Sequence, residues 1–263
     1  MSGERTQVAL RRMIAALGDL LYPPRCQVCD RFSEHPLCDP CRKLLTPIEP
    51  PYCERCGKPF DPNAHAAPVC AACAGHRGPL LWARSFGLHV GALRDAVNAY
   101  KFARRIRLSR PLGELLPALV TSGSPAAGPD AAVPSLIVPV PLHLARRRWR
   151  GFDQAELLSV ALGEATGLPV GAGRLTRTRN TRPQIGLAAG QRAANVRGAF
   201  SAPSPLGPGE RVVLLVDDVY TTGATLRECA RVLRRAGAEA VCAVTVSRAA
   251  PEWHPQADLV RDV

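Results

Sequence analysis

No stretch of this 263-residue chain reaches the roughly 18 uninterrupted apolar residues that a membrane span requires. The one apolar candidate near the N-terminus is broken by Arg11, Arg12 and Asp19. Residues 8–21 instead set Leu10, Ile14, Leu17 and Leu21 at i, i+4, i+7 and i+11, the stripe of an amphipathic helix rather than a secretory leader with its cleavage site. The expectation is a soluble, cytoplasmic protein. Lysine is nearly missing: Lys43, Lys58 and Lys101 stand among 34 basic residues, and arginine supplies the others. A planar guanidinium grips phosphate bidentately, although a composition that also inflates Ala, Gly and Pro accounts for most of the arginine total. The formal charge of +12 is enough to attract polyanions. There is also no G-x-x-x-x-G-K-[ST] run, which excludes a P-loop nucleotide site.

A chain of this length with 46 % apolar residues can bury one good core and carry a small module beside it. Composition divides it into an amphipathic helix (1–21), a cysteine- and proline-rich stretch (22–79) and an α/β-like remainder (80–263). In the remainder, Leu81 to His89 reads as a strand. Leu93, Val97 and Tyr100 then space a helix ending in the basic run Lys101 to Arg110, and a second helix is expected near 111–120. Ser122 to Pro134 reads as a flexible surface loop. Leu136 to Val140 is a short strand, followed by an arginine-rich turn and a helix from about Gln154 to Thr166. The polar region 174–200 reads as a long mobile loop, helical only in part. Val212 to Val216 is the continuous apolar run of a buried parallel strand. A turn, a helix to Arg235 closed by Gly237, and a last strand at Ala240 to Val246 complete the chain. Strands alternating with helices predict an α/β fold with a mostly parallel sheet.

Eight of the ten cysteines form Cys-x-x-Cys knuckles: Cys26/Cys29, Cys38/Cys41, Cys53/Cys56 and Cys70/Cys73. Two intervening residues let both thiolates of a knuckle reach one ion, and a tetrahedral zinc needs two knuckles. Sequential pairing gives two zinc ribbons in tandem, with a cross-braced pairing left open by the spacing. Disulfides would need an oxidising compartment. With eight cysteine ligands both sites are closed and structural, and His35, His65 and His76 are bystanders. Cys229 and Cys242, on the last helix and strand, read as small buried thiols.

From Val212 to Thr225 a buried strand empties through Asp217 and Asp218 into the turn Thr221-Thr222-Gly223-Ala224-Thr225, which opens a helix. Free backbone N–H groups at a helix start suit a phosphate monoester, with Gly223 permitting close approach and three threonine hydroxyls beside it. Adjacent carboxylates at the carboxyl end of a strand can accept hydrogen bonds from vicinal ribose hydroxyls, where ligands of open α/β sheets bind. Response regulators open on paired acidic residues, whereas only 45 residues follow Asp218. A Walker B strand would lack its Walker A partner. Threonine capping alone explains one hydroxyl and not the whole assembly.

The run Val213 to Thr225 resembles the phosphoribosyl-pyrophosphate signature of type I phosphoribosyltransferases. The resemblance implies that Asp217 and Asp218 hold the ribose hydroxyls and serve catalysis, and that Thr221, Thr222, Gly223, Ala224 and Thr225 cradle the 5′-phosphate. Val138-Pro139-Val140-Pro141 with Leu142 and His143 resembles that fold's pyrophosphate loop, and 177–196 its flexible hood. Together with the zinc knuckles, Lys101-Phe102, Arg150-Gly151-Phe152-Asp153-Gln154 and Gln184…Arg192…Asn195-Val196, the whole chain resembles the ComF/GntX family. That family joins a double zinc ribbon to a phosphoribosyltransferase domain and is linked to natural DNA uptake.

The resemblance implies 5-phosphoribosyl-1-pyrophosphate and Mg2+ as ligands beside two structural Zn2+. It also implies leaving-group contacts from Lys101 and from arginines among Arg148, Arg150, Arg177, Arg179 and Arg182. Asp153 departs from the asparagine expected there and adds negative charge near the pyrophosphate. An amidophosphoribosyltransferase is not expected, because position 2 is serine and the first cysteine is a zinc ligand, leaving no glutaminase nucleophile. Three functions stay open: a phosphoribosyltransferase of unknown acceptor, a non-catalytic sensor of the same ligand, and a factor binding single-stranded DNA or DNA-uptake proteins.

Overall fold

The computed structural model describes residues 23–63, 67–75, 78–121, 133–181 and 189–255. The expected helix over 1–21, His65 and His76, and most of the 122–134 loop lie outside the described residues. Four parallel strands form the central sheet in the order β1 (Ala83–Leu88), β6 (Ala240–Arg248), β5 (Val212–Tyr220) and β2 (Leu136–Pro139). Along β5, Leu214 and Val216 enter one apolar cluster and Val213 and Leu215 the other, so alternate side chains feed opposite faces. Both faces are covered, which is why β5 reads as unbroken apolar sequence. It runs past Val216 because its pairing with β6 continues to Tyr220 opposite Arg248.

On one face lie α3 (Gly91–Phe102), a 3-10 turn (Ile106–Leu108), α4 (Ser109–Gly113), α5 (Pro117–Thr121) and α7 (Gln154–Thr166). The single helix expected near 111–120 is two short ones, because Pro117 opens a new helix and, lacking an N–H, does not continue the old one. Tyr100, Leu112, Leu158 and Leu162 are fully buried here. Each such side chain contributes about 1.5–3 kcal/mol. The other face carries α8 (Ala189–Val196) and α9 (Ala224–Arg235). The region read as a loop over 174–200 contains α8 and part of a two-stranded antiparallel ribbon, β3 (Thr176–Arg177) with β4 (Phe200–Ser201). A second correction concerns the arginine-rich turn after β2. Leu144–Arg150 is helical (α6), with His143 Nδ1 accepting from the Ala145 N–H at 3.2 Å and Gly151 ending it at φ 88°.

The N-terminal module contains the short helices α1 (Asp39–Lys43) and α2 (Ala71–Ala74). It is not a free appendage. Cys26, Leu37, Cys41 and Leu45 share one cluster with Trp82, Leu93 and Val97 of the sheet and helix layer. The module also covers the open edge of β1: Pro47 bridges Gly87, the Ile48 N–H donates to the Phe86 carbonyl at 2.7 Å, and the Ala83 N–H donates to the Arg55 carbonyl at 2.7 Å. An exposed strand edge is thereby capped.

Candidate functional site

The carboxyl ends of β5 and β2 face a cavity of about 440 Å3, a size suited to a small-molecule ligand. Of the residues singled out in the sequence, Lys101, Pro141, Leu142, Arg150, Asp217, Asp218, Thr221, Gly223, Ala224 and Thr225 line it together. Thr222 and His143 do not. The Thr222 hydroxyl accepts from the Ala224 N–H at 3.4 Å inside the turn, and His143 caps α6. Of the candidate arginines, Arg150 and Arg177 line the cavity. Arg148 is exposed on α6, Arg179 donates to the Asn195 and Arg197 carbonyls, and Arg182 lies outside the described residues.

Lys101 reaches the acidic pair because α3 ends beside β5. Its Nζ lies 3.0 Å from Asp218 Oδ1, and both side chains are nearly buried. Asp217 Oδ1 accepts from the Asp218 N–H at 2.9 Å. Burial, and after it the Asp218 charge, raises the Asp217 carboxyl to about 8. His89, fully buried at the end of β1, contacts Ser247 Oγ through Nδ1 at 2.9 Å. Burial, and then Lys101, lowers it to about 4, so it is neutral at physiological pH.

Several residues of this cavity escaped the sequence reading. Arg146 lies one helical turn from Arg150, and its Nη2 donates to the Thr181 carbonyl at 2.8 Å. Arg177 Nη2 donates to Thr181 Oγ1 at 2.6 Å, so both cations are tied to Thr181. Burial lowers the pKa of Arg146, Arg150 and Arg177. Trp149 and Phe102 sit at the rim, 63 % and 51 % exposed. Gln154 is buried with neither side-chain oxygen nor nitrogen partnered, and Arg150 Nε and Arg177 Nε are likewise unpaired. Each of these three residues also lines the cavity, and each unsatisfied atom in its wall costs about 1–3 kcal/mol.

Asp153 proves to be a scaffold residue. Its Oδ1 accepts from the Ala155 and Glu156 N–H groups at 3.1 and 3.4 Å, capping α7, and its Oδ2 accepts from the Leu142 N–H at 2.9 Å. Its carboxylate, read from the sequence as added negative charge near a pyrophosphate, is turned onto three backbone donors and ties the Pro141–Leu142 turn to α7. Burial, the largest influence, raises its pKa.

The cysteines assemble as Cys26/Cys29/Cys38/Cys41 and Cys53/Cys56/Cys70/Cys73, each set with all sulfurs within 4.8 Å of one another. The Cys29–Cys38 and Cys56–Cys70 sulfur separations are both 3.7 Å. A tetrahedral ion with Zn–S bonds of about 2.3 Å sets its sulfurs about 3.8 Å apart. The Cys53 sulfur also accepts from the Cys56 and Cys70 N–H groups at 3.5 and 3.3 Å. These are two zinc-binding sites of four cysteines each, with the sequential pairing. His35 belongs to neither.

Residues 17–74 match the double zinc ribbon domain and residues 176–261 the phosphoribosyl transferase domain. "Competence protein F" of Haemophilus influenzae is 32 % identical over 219 residues, which cover 83 % of this chain and 93 % of that protein. The chain belongs to the competence protein F (ComF) family. Within it, "DNA utilization protein YhgH" of Escherichia coli K12 is 32 % identical over 84 % of this chain and 96 % of its own. "Competence protein ComFC" of Bacillus subtilis is 28 % identical over 81 % and 84 % respectively. Among solved structures, a glutamine phosphoribosylpyrophosphate amidotransferase from B. subtilis aligns over 52 % of this chain and 26 % of its own, at 22 % identity and a TM-score of 0.34. A purine phosphoribosyltransferase from Pyrococcus horikoshii aligns over 58 % and 83 %, at 19 % identity and a TM-score of 0.29. Among the described residues no helix is long and apolar enough to cross a membrane.

Proposed function

We propose that the cavity binds 5-phosphoribosyl-1-pyrophosphate with magnesium and that the chain is a cytoplasmic phosphoribosyltransferase-like protein acting in DNA uptake or utilization. One observation carries the reading: the Asp217/Asp218 pair, the N-terminus of α9 and the cations Lys101, Arg146, Arg150 and Arg177 line a single cavity. In this reading the N–H groups of the turn, with the hydroxyls of Thr221 and Thr225, hold the 5′-phosphate, and Asp217 and Asp218 accept from the ribose hydroxyls. Arg146, Arg150 and Lys101 hold the pyrophosphate, with the Pro141–Leu142 backbone beside it. These cations would neutralise the leaving group as an oxocarbenium-like sugar develops.

Asp217 and Asp218 would hold magnesium, a hard cation that takes oxygen ligands, and it would offset the charge of the ligand's phosphates there. Lys101 must release Asp218 for the sugar to be held, and an incoming pyrophosphate offers it an alternative anion. Closure of the 177–196 segment over the sugar would exclude water from it.

Calorimetric titration of magnesium and 5-phosphoribosyl-1-pyrophosphate into wild type and Asp217→Asn/Asp218→Asn tests this reading. Binding lost in the variant is expected; equal affinity overturns the reading. Pyrophosphate release with candidate acceptors then separates an enzyme from a sensor.

The exposed Trp149 and Phe102, beside Arg104, Arg147 and Arg148, favour a second reading in which this rim contacts single-stranded DNA through stacking and phosphate pairing. Trp149→Ala should then weaken binding of an oligothymidine at every salt concentration, and unchanged affinity removes the rim from consideration. Deleting residues 22–79 does not test the zinc module's part in DNA binding, because the module shares the main core.

A further inference from the structure

The phosphate turn does not rest on its own residues alone. Gly223 takes φ +72°, and a Cβ placed there would stand 2.3 Å from the Tyr220 hydroxyl and 2.6 Å from ring atom Cζ. The Tyr220 side chain therefore lies directly against the Gly223 backbone, the last residue before α9. Tyr220 is buried, and the Arg248 guanidinium sits over its ring, 4.7 Å from the centroid. The two residues are register partners at the carboxyl ends of β5 and β6.

Arg248 is buried as well, and its Nη1 donates to the Cys56 carbonyl at 2.6 Å. Its Nε has no partner among the described residues. A buried cation with so few partners is strongly held by those it has. Cys56 is a ligand of the second zinc site. The next residue, Gly57, is pressed on β1: it takes φ +69°, and a Cβ there would stand 2.7 Å from the Ala83 carbonyl oxygen. One continuous line of contact thus runs from the second metal site through Cys56, Arg248 and Tyr220 to Gly223. The first site packs elsewhere, into the helical layer around Leu93 and Val97.

We propose that the second zinc ribbon is a positioning element for the phosphate turn: metal held by Cys53, Cys56, Cys70 and Cys73 fixes the Cys56 carbonyl, which holds Arg248, which holds the Tyr220 ring against Gly223. The proposal rests on the reading that the turn binds a phosphate ester. When the metal leaves, the knuckle backbone loses its tether and Arg248 its acceptor. The N–H groups after Gly223 then lose their fixed aim, while the pyrophosphate half of the cavity, built on β2 and α6, is untouched.

The test uses the full chain with two probes, ribose 5-phosphate for the turn and magnesium pyrophosphate for the opposite half. Zinc content and amide hydrogen exchange over 222–225 are measured alongside. Cys70→Ser should retain zinc only in the first site, and Arg248→Met should retain both ions. Both variants should bind ribose 5-phosphate roughly tenfold more weakly and keep their pyrophosphate affinity, as expected when orientation rather than folding is lost. The double variant should be no worse than either single one, because both act on one line of contact. Exchange at 222–225 should quicken in each. Unchanged ribose 5-phosphate affinity and exchange in Arg248→Met overturns the proposal, even where Cys70→Ser misfolds. Parallel loss of both probes in Arg248→Met overturns it too. If wild type binds no ribose 5-phosphate, the phosphate-ester reading fails instead, and the exchange rates alone decide the relay.

Discussion

Lys101 Nζ lies 3.0 Å from Asp218 Oδ1, so the cation ending α3 and the second acid of β5 neutralise each other across the cleft before any ligand arrives. Both side chains are nearly withdrawn from water. Removing the lysine therefore leaves a desolvated carboxylate beside Asp217. Lys101→Met should cost roughly 1–3 kcal/mol in denaturant unfolding. Adding Asp218→Asn should restore part of that loss, since the two changes share one interaction. Strictly additive losses would show that the pair is not coupled.

The raised carboxyl of Asp217 has two consequences of opposite sign. Its pKa in the folded protein, about 8, stands above the ordinary value of 3.8. The group therefore favours the folded state most fully below the ordinary value, and that contribution is lost as pH rises towards 8. Ligand binding runs the other way, because ribose hydroxyls and magnesium need the ionised carboxylate. Affinity for magnesium and 5-phosphoribosyl-1-pyrophosphate should rise between pH 6.5 and 8.5 by roughly 25-fold, in step with the ionised fraction of a carboxyl whose pKa is about 8. Asp217→Asn should flatten both profiles, and titrations at three pH values check it.

Asp153 accepts from N–H groups on two elements, so its two simplest replacements should separate. Asp153→Ala removes the cap of α7 and the tie to Leu142, and should cost about 1–2 kcal/mol in thermal unfolding. Asp153→Asn keeps one oxygen for the cap but turns an amide donor toward the Leu142 N–H. That N–H should then be released to the cleft, so Asp153→Asn should lose less stability and bind magnesium pyrophosphate more tightly than wild type. Equal pyrophosphate affinity would show that the Leu142 N–H does not reach the ligand.

The parts legible in the sequence are those whose physics is local. The Cys-x-x-Cys spacing sufficed for the two metal sites, and the apolar run of β5 with its hydroxyl-rich turn sufficed for the acidic pair and the start of α9. Helix α6 was missed because Leu144–Arg150 has no apolar period. Its signals are the His143 cap and Gly151, and with it went Arg146 and Trp149 at the cavity. Gln154 stood in a quoted motif without a role, because only burial reveals its unpartnered amide. Tyr220 and Arg248 meet across strands 28 residues apart in sequence, and their link to Cys56 spans 192. No spacing rule reaches that far, and a chain that splits by composition at residue 79 hides how firmly its two parts are joined.

The contact between Tyr220 and Gly223 separates two costs that are usually confounded. Gly223→Ala must both hold an L-residue at φ +72° and fit a methyl 2.3 Å from the Tyr220 hydroxyl. The backbone part should cost about 1–2 kcal/mol wherever a side chain is placed in the left-handed region. The steric part comes mainly from the ring, since the other close neighbour, Arg227 Nη1 at 3.0 Å, is the far end of a flexible side chain. Gly223→Ala in wild type should therefore destabilise by roughly 2–5 kcal/mol, since a crowded core typically adds about 1–3 kcal/mol. In a Tyr220→Leu background the same change should cost only the backbone part. Denaturant unfolding of the four proteins in this cycle measures both. An equal cost in the two backgrounds would mean that the ring swings aside freely, and that the turn is not braced by Tyr220.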